Sequence, residues 1–240
     1  MFAFLSTTNP HTNLGTEECL LQKIDSIGPT LLLYVNEPCV VMGKHQNPLL
    51  ECDSAFLQQR NIPLLRRFTG GGTVFHDLGN LNFSFLMPKT QYNETLHFSV
   101  IQTAILELGI ESSMDAHKSL WYKGRKFSGS AFARKLVGNI HHGTLLVHSN
   151  LETLTRTLVP ENENLQTKAP RSRRAPVLNL SEVVPSLTLA AVANSLHVAF
   201  AKTFPQNATP LNSPICEAEL APFVEKHRSY DWVFGSTPTY

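Results

Sequence analysis

The sequence predicts an α+β fold, a mixed β-sheet flanked by helices, and three observations carry that reading. Runs with strand patterning outnumber helical ones. The two kinds do not alternate strictly, as a doubly wound parallel sheet would require, and no repeat or long linker divides the 240 residues. A chain of this length with 42% hydrophobic residues can bury one large core, so residues 1–240 read as a single domain.

Leu20, Ile24 and Ile27 recur at helical spacing and place a first helix near Asn13–Ile27. Leu31–Val35, a continuous apolar run stopped by Asn36-Glu37-Pro38, suits a buried strand, and Val40–Met42 a shorter one. Asp53 or Ser54 can cap a helix through Arg60, with a strand over Ile62–Arg67 behind it. Gly70-Gly71-Gly72 must be loop, because three consecutive glycines lose too much backbone entropy in a regular element. Leu81, Phe83 and Phe85 alternate with Asn82 and Ser84, the period-2 pattern of a half-buried strand. Phe98, Ile101, Ile105 and Leu108 mark a helix.

Lys123-Gly124 reads as a tight hairpin turn between Leu120–Tyr122 and Phe127–Phe132. His141–Val147 follows as a strand and Leu151–Leu158 as a helix halted by Pro160. The polar stretch from Pro160 to Pro176 holds Lys168, Arg171, Arg173 and Arg174, and is expected to be a mobile surface loop. Leu189, Ala193, Leu196 and Phe200 restore helical spacing until Phe204-Pro205.

Composition narrows the function classes. A formal net charge of +1 supplies no global field for nucleic acid or anionic lipid. Cys19, Cys39, Cys52 and Cys216 contain no C-x-x-C pair and read as reduced thiols. The start, Met1–Leu5, lacks a basic signal-peptide region, and no apolar run is long enough for a bilayer, so a cytoplasmic location is the expectation.

Three segments can carry chemistry. In Arg66–Asn80, a glycine loop lets backbone N–H groups approach an anion, with Arg67 able to add a forked cation. In Gly124–Ala131, regular strand alternation would put Lys126, Ser128 and Ser130 on one polar face, with Phe127 and Gly129 opposite. In His141–Val147, adjacent histidines point to opposite faces, so they do not chelate one metal in the simplest geometry, and the metal ligands stay unassigned.

The order R-R-x-x-G-G-G-x-V-x-H-D-x-G-N, then G-R-K-x-S-G-S-A, then H-H-G-T-L-L resembles the pattern of the lipoate–protein ligase A family. Asn13, Glu17 and Glu18 resemble an early landmark, Gly43-Lys44-His45-Gln46-Asn47-Pro48 resembles the family's G-x-x-Q-N-P, and Val177–Leu180 and Trp232–Gly235 resemble later ones. The resemblance implies a fold shared with biotin and lipoate ligases, related to class II aminoacyl-tRNA synthetase cores. It implies an ATP-dependent ligase that makes acyl-AMP from lipoate or octanoate, with Mg²⁺ on the phosphates. The acceptors it implies are lysines of lipoyl domains, in the E2 subunits of 2-oxoacid dehydrogenases and in the glycine cleavage H-type protein.

By the same resemblance, Arg67 and the backbone of Gly72, Thr73, Val74 and Phe75 would hold the adenylate. Lys126 would lie between the acyl carbonyl and the α-phosphate, and Gly70, Gly71, His76, Ser130 and His142 would border lipoate. Two departures stand out. Lys118 and Ser119 occupy the positions where members usually carry Asn-Asp, with Asp115 nearby. Many members continue into a small accessory domain beyond the landmark matched here by Trp232–Gly235, which a separate protein could supply. The alternatives are acyl transfer without ATP, a binding-only relative, and biotin ligation. Relatives of the first kind commonly pass the chain through a cysteine thioester, and none of the four cysteines here falls inside the three motif segments, which favours the ligase.

Overall fold

The computed structural model describes residues 1–162, 164–207, 215–235 and 237. It opens with a short strand absent from the sequence expectations, Phe2–Phe4 (β1), parallel to Thr30–Tyr34 (β2). Between them runs Pro10–Gln22 (α1), whose cap is the Asn9 side chain accepting from the Thr12 N–H, with proline in the first turn. The one helix expected through Ile27 is two, because the non-helical backbone of Lys23 separates α1 from Ile24–Ile27 (α2).

Cys39–Met42 (β3), Leu64–Arg66 (β4) and Val74–His76 (β5) form a small sheet in the order β4-β3-β5, with β3 parallel to β4 and antiparallel to β5. Ser54–Gln59 (α3), capped by Asp53, connects β3 to β4. The glycine loop Gly70-Gly71-Gly72 joins β4 to β5 as expected.

The main sheet adds Asn80–Met87 (β6), Ser113–Met114 (β7), Leu120–Tyr122 (β8), Arg125–Arg134 (β9) and Asn139–Leu146 (β10). Its order is β1-β2-β6-β10-β9-β8-β7, antiparallel apart from the β1–β2 pair, so the sheet is mixed. Lys123 and Gly124 both have positive φ, at 45° and 78°, which matches the twist a two-residue hairpin needs. Glu94–Glu107 (α4), capped by Asn93, and Leu189–Thr203 (α6), capped by Thr188, cover one face of this sheet. Leu151–Thr157 (α5) begins at the Asn150 cap. Glu217–Arg228 (α7), also absent from the expectations, packs on α1 at the other face despite Pro222 within it.

The expectation of a half-buried β6 is corrected, because all eight of its residues are buried. Leu81, Phe83, Phe85 and Met87 enter the large core under α4 and α6, while Leu86 joins Leu20, Leu21 and Ile24 of the α1 side. Full burial of side chains such as Phe83 and Phe85 stabilises by about 3 kcal/mol each. Asn80, Asn82 and Ser84 therefore face α1 and the small sheet rather than water, and that is where the cleft lies. Among the described residues no helix is long and apolar enough to cross a membrane.

Candidate active site

A cleft of about 510 Å³ opens between the α1-side face of the main sheet and the small sheet. Its inner wall is largely apolar, made by the buried Leu14, Tyr34, Val41 and His76 with the half-buried Val74. Its outer rim is polar, with Asp115, His117, Arg171, Arg173 and Arg174.

The glycine loop forms one side. Gly71 has φ 85°, open to glycine at no steric cost. Arg67 lies beneath the loop and is buried. Its Nη2 donates to the carbonyls of Gly70 (2.6 Å) and Gly72 (2.7 Å), and its Nη1 to that of Val41 (3.1 Å). The guanidinium thus braces the loop from within; burial, partly offset by the charge of Glu17, lowers its pKa to about 10.

From Arg67 a buried relay crosses the cleft floor. Arg67 Nε donates to Thr69 Oγ1 (3.0 Å), and Thr69 Oγ1 pairs with His142 Nε2 (2.7 Å). His142 Nδ1 lies 3.0 and 3.1 Å from the two Glu17 oxygens. The Glu17 carboxylate only accepts, so His142 Nδ1 carries its hydrogen toward it while Nε2 faces the Thr69 hydroxyl. Tyr34 and Ser84 also donate to Glu17. Burial alone would raise the Glu17 carboxyl, but the His142 charge and these hydrogen bonds outweigh it and hold the group below the usual range.

His76 is fixed separately. Asn13 donates to Asn36 Oδ1 (2.8 Å), and Asn36 Nδ2 lies 3.0 Å from His76 Nδ1, which sets that nitrogen as the acceptor. Burial first, then the Arg67 charge, lowers the His76 pKa to about 3, so the ring is neutral and carries its proton on Nε2, which has no partner among the described residues.

Lys126 reaches the cleft through a change of register. Leu120 pairs with Ser128 but Trp121 pairs with Lys126, so one step on β8 spans two on β9 and Phe127 is the extra residue of a β-bulge. The expected grouping of Lys126, Ser128 and Ser130 on one face is therefore corrected. Phe127 enters the large core, and Ser128 stands opposite the core residues Leu120 and Leu145. The Ser130 hydroxyl pairs with His141 (3.0 Å) within an aromatic cluster of Phe83, Phe85 and Phe132. Lys126, Gly129 and Ala131 line the cleft. Burial lowers the Lys126 pKa, and the charge of Asp115 opposes that shift.

The segment from Pro160 to Pro176 is no free surface loop. Ser172 N–H and O–H both donate to the buried Glu51 carboxylate, and Ser172 Oγ accepts from Thr73 N–H (2.7 Å) and Gln46 Nε2 (3.0 Å). Farther on, Lys126 N–H donates to Pro176 O (2.8 Å) and Leu178 N–H to Lys126 O (3.0 Å). The stretch is a strap across the cleft, held also by Asn162 N–H on Leu49 O and by Arg173 against His117, and it brings Arg171, Arg173 and Arg174, but not Lys168, to the lining.

Of the residues singled out from sequence, Arg67, Gly71, Gly72, Thr73, Val74, His76, Lys126, Ser130 and His142 border this one cleft. Gly70 offers only its carbonyl to Arg67, and Phe75 packs away among Val40, Cys52, Leu57 and Ile62. Lys118 pairs with Glu94, while Ser119 and Asp115 are in the lining, the Asp115 Oδ1 accepting from the N–H groups of His117 and Ser119. Sequence reasoning missed Gln46, Glu51, Asn36 and Ser172 as parts of the site. It noted Glu17 only as a landmark, though Leu14 and Leu21 at helical spacing place position 17 on the buried face of α1.

The sequence model of the lipoyl protein ligase A/B catalytic domain matches residues 9–201. A lipoate-protein ligase A of Bdellovibrio bacteriovorus is 37% identical over 98% of this chain and 72% of that relative. Among solved structures, P. falciparum LipL1 in complex with lipoate superposes with TM-score 0.85 at 27% identity, over 100% of this chain and 75% of the other. A bi-partite lipoate protein ligase from Thermoplasma acidophilum, studied with its E2 lipoyl domain, gives TM-score 0.80 at 25% identity, over 100% and 97%. A lipoate-protein ligase A bound with ATP gives 0.74 at 25%, over 98% and 97%.

Proposed function

The chain belongs to the lipoyl protein ligase A/B catalytic-domain family, and from that membership we propose that it activates lipoate or octanoate with ATP and passes the acyl group to a protein lysine. The observation that carries this reading is the meeting of the Lys126 side chain and the Gly71–Thr73 loop in one cleft with an apolar inner wall.

The acyl chain lies along Leu14, Tyr34, Val41 and Val74, with its carboxylate toward Lys126. A carboxylate oxygen attacks the α-phosphorus of ATP and pyrophosphate leaves, so two anions must approach and charge grows on phosphate oxygens. Lys126 answers that charge. Its burial strips water from the ammonium and makes it a stronger partner for a developing oxyanion. Arg171, Arg173 and Arg174 on the strap face the phosphates. The acceptor amine then attacks the carbonyl of the mixed anhydride, AMP leaves, and Lys126 stabilises the carbonyl oxygen. Arg67 acts mainly by holding the glycine loop, since four of its N–H groups already face protein oxygens.

Magnesium fits only as a companion of the nucleotide. Among the described residues no group of three potential ligands exists, and Asp115 is the one carboxylate of the lining. Mg²⁺ bound chiefly by phosphates and water, with Asp115 beside it, would neutralise phosphate charge when present.

The acceptor is a lipoyl domain of an E2 subunit or of a glycine cleavage H-type protein, and a separate accessory protein can assist. The bi-partite T. acidophilum ligase with its E2 lipoyl domain supports both statements. No cysteine lies in the cleft lining, which argues against transfer through a thioester. The test is to incubate the purified chain with lipoate, ATP and Mg²⁺, then with a lipoyl domain. Lipoate-dependent pyrophosphate release and acylated domain are expected; acylation from a carrier protein without ATP would replace the ligase reading by the transferase one.

A further inference from the structure

We propose that Arg66 is a positioning residue through which the C-terminal turn Asp231–Gly235 sets the nucleotide-side wall of the cleft. The proposal rests on the ligase reading and adds to it a part of the chain outside residues 9–201, the stretch the family match covers.

Arg66 is fully buried and does not line the cleft. Its guanidinium joins two distant segments. Nε donates to Val233 O (2.9 Å) and Nη2 to Thr237 Oγ1 (2.9 Å), while Nη1 donates to Lys44 O (2.8 Å), Gln46 O (2.9 Å) and, more weakly, Gly43 O (3.3 Å). The Arg66 carbonyl is held from the same C-terminal side, by Trp232 Nε1 (2.7 Å) and by His227 Nδ1 (3.2 Å). Trp232 is itself held, with Lys226 Nζ 4.0 Å above its ring.

The 43–46 turn passes this restraint on. Gln46 Oε1 accepts from Gly43 N–H (2.9 Å) and from the Thr73 hydroxyl (2.8 Å), and Gln46 Nε2 donates to Ser172. Gly43 sits directly against the glycine loop, where a β-carbon would fall 2.1 Å from Gly71 O. Turn, loop and strap therefore cannot shift independently. A planar guanidinium keeps its donors in fixed directions, so displacing Val233 or Thr237 rotates the fork and moves the carbonyls of residues 43–46 with it. The inner acyl wall, made by α1, β2, β3 and β5, receives none of these bonds. The C-terminal turn should therefore influence nucleotide handling and leave acyl binding alone.

The experiment compares Thr237→Val, which removes an acceptor without changing shape, with Thr237→Ser, which keeps it, alongside Arg66→Lys. Lipoate-dependent pyrophosphate release gives KM for ATP, KM for lipoate and kcat, and thermal unfolding is recorded for each variant. Thr237→Val should raise KM for ATP about three- to tenfold, the range of one net hydrogen bond, with KM for lipoate unchanged. Thr237→Ser should restore it, and Arg66→Lys should exceed it. An unchanged KM for ATP in Thr237→Val overturns the proposal, as does a rise in both KM values together with a loss of melting temperature that Thr237→Ser does not reverse. Calorimetry separates the two layers. Wild-type protein that binds neither lipoate nor ATP fails the ligase reading, whereas wild type that binds both, with Thr237→Val equal to it, fails the clasp alone.

Discussion

The Lys126 side chain folds back over Gly129, so closely that a β-carbon at position 129 would stand 3.1 Å from Nζ and 3.2 Å from Cε. A methyl group there must push the lysine tip by a few tenths of an ångström, toward the reacting atoms or away from them. Gly129→Ala should therefore reduce adenylate formation by about tenfold through misplacement of the ammonium. Melting temperature should stay within about 2 °C, because the displaced atoms end a flexible side chain. Turnover and thermal unfolding measured on the same preparation check this.

Removing the ammonium itself goes further. Lys126→Ala should lower lipoate-dependent pyrophosphate release by roughly 10²–10³, as loss of an oxyanion donor does. Lys126→Arg should also be poor, since a planar fork cannot fit the space above Gly129. Single-turnover formation of the acyl-adenylate distinguishes this from an effect on acceptor binding.

His76 gives a pH prediction. Its folded pKa, about 3, lies below the ordinary 6.5, so between those values the unfolded chain binds a proton that the native one does not. The stability it contributes is complete above about pH 6.5 and declines by about 1.4 kcal/mol per pH unit as the solution is acidified toward pH 3. Denaturant unfolding across pH 4–6.5 should show His76→Asn with a slope shallower by about that amount.

The strap supplies a proteolysis test. Ser172→Ala removes the hydroxyl that takes the Thr73 N–H and Gln46 amide and donates to Glu51. Trypsin should then cut after Arg171, Arg173 or Arg174 about ten times faster than in wild type, a factor that one to two hydrogen bonds supply. Equal rates would mean that the strap's other bonds, at Asn162, Arg173 and Pro176–Leu178, hold it without Ser172.

Glu17→Gln should destabilise the protein by about 3 kcal/mol, lowering the melting temperature by roughly 6–12 °C, because His142, Ser84 and Tyr34 all donate to a carboxylate that an amide only half replaces. Circular dichroism melts measure it directly.

The fold class and most of the central strands were legible because hydrophobic spacing is a local signal. β10 and α6 follow from their own residues. β1 and α7 did not show, since a three-residue strand and a polar helix containing Pro222 carry little periodicity of their own. In the site, the glycine loop stood out by residue type, and Lys126 through the family resemblance of its segment. The buried links did not. Ser172 with Glu51, or Asn36 with His76, become partners only when segments 121 and 40 residues apart are folded together, and nothing in either segment marks the other.

The bulge at Phe127 has a consequence for how this chain tolerates change. The surplus residue stands outside the ladder, so taking it out would still leave Lys126 opposite Trp121 and Ser128 opposite Leu120, now in unbroken pairing. Such a loss would cost the interior a large aromatic while the amine kept its aim, so the damage would fall on folding before chemistry.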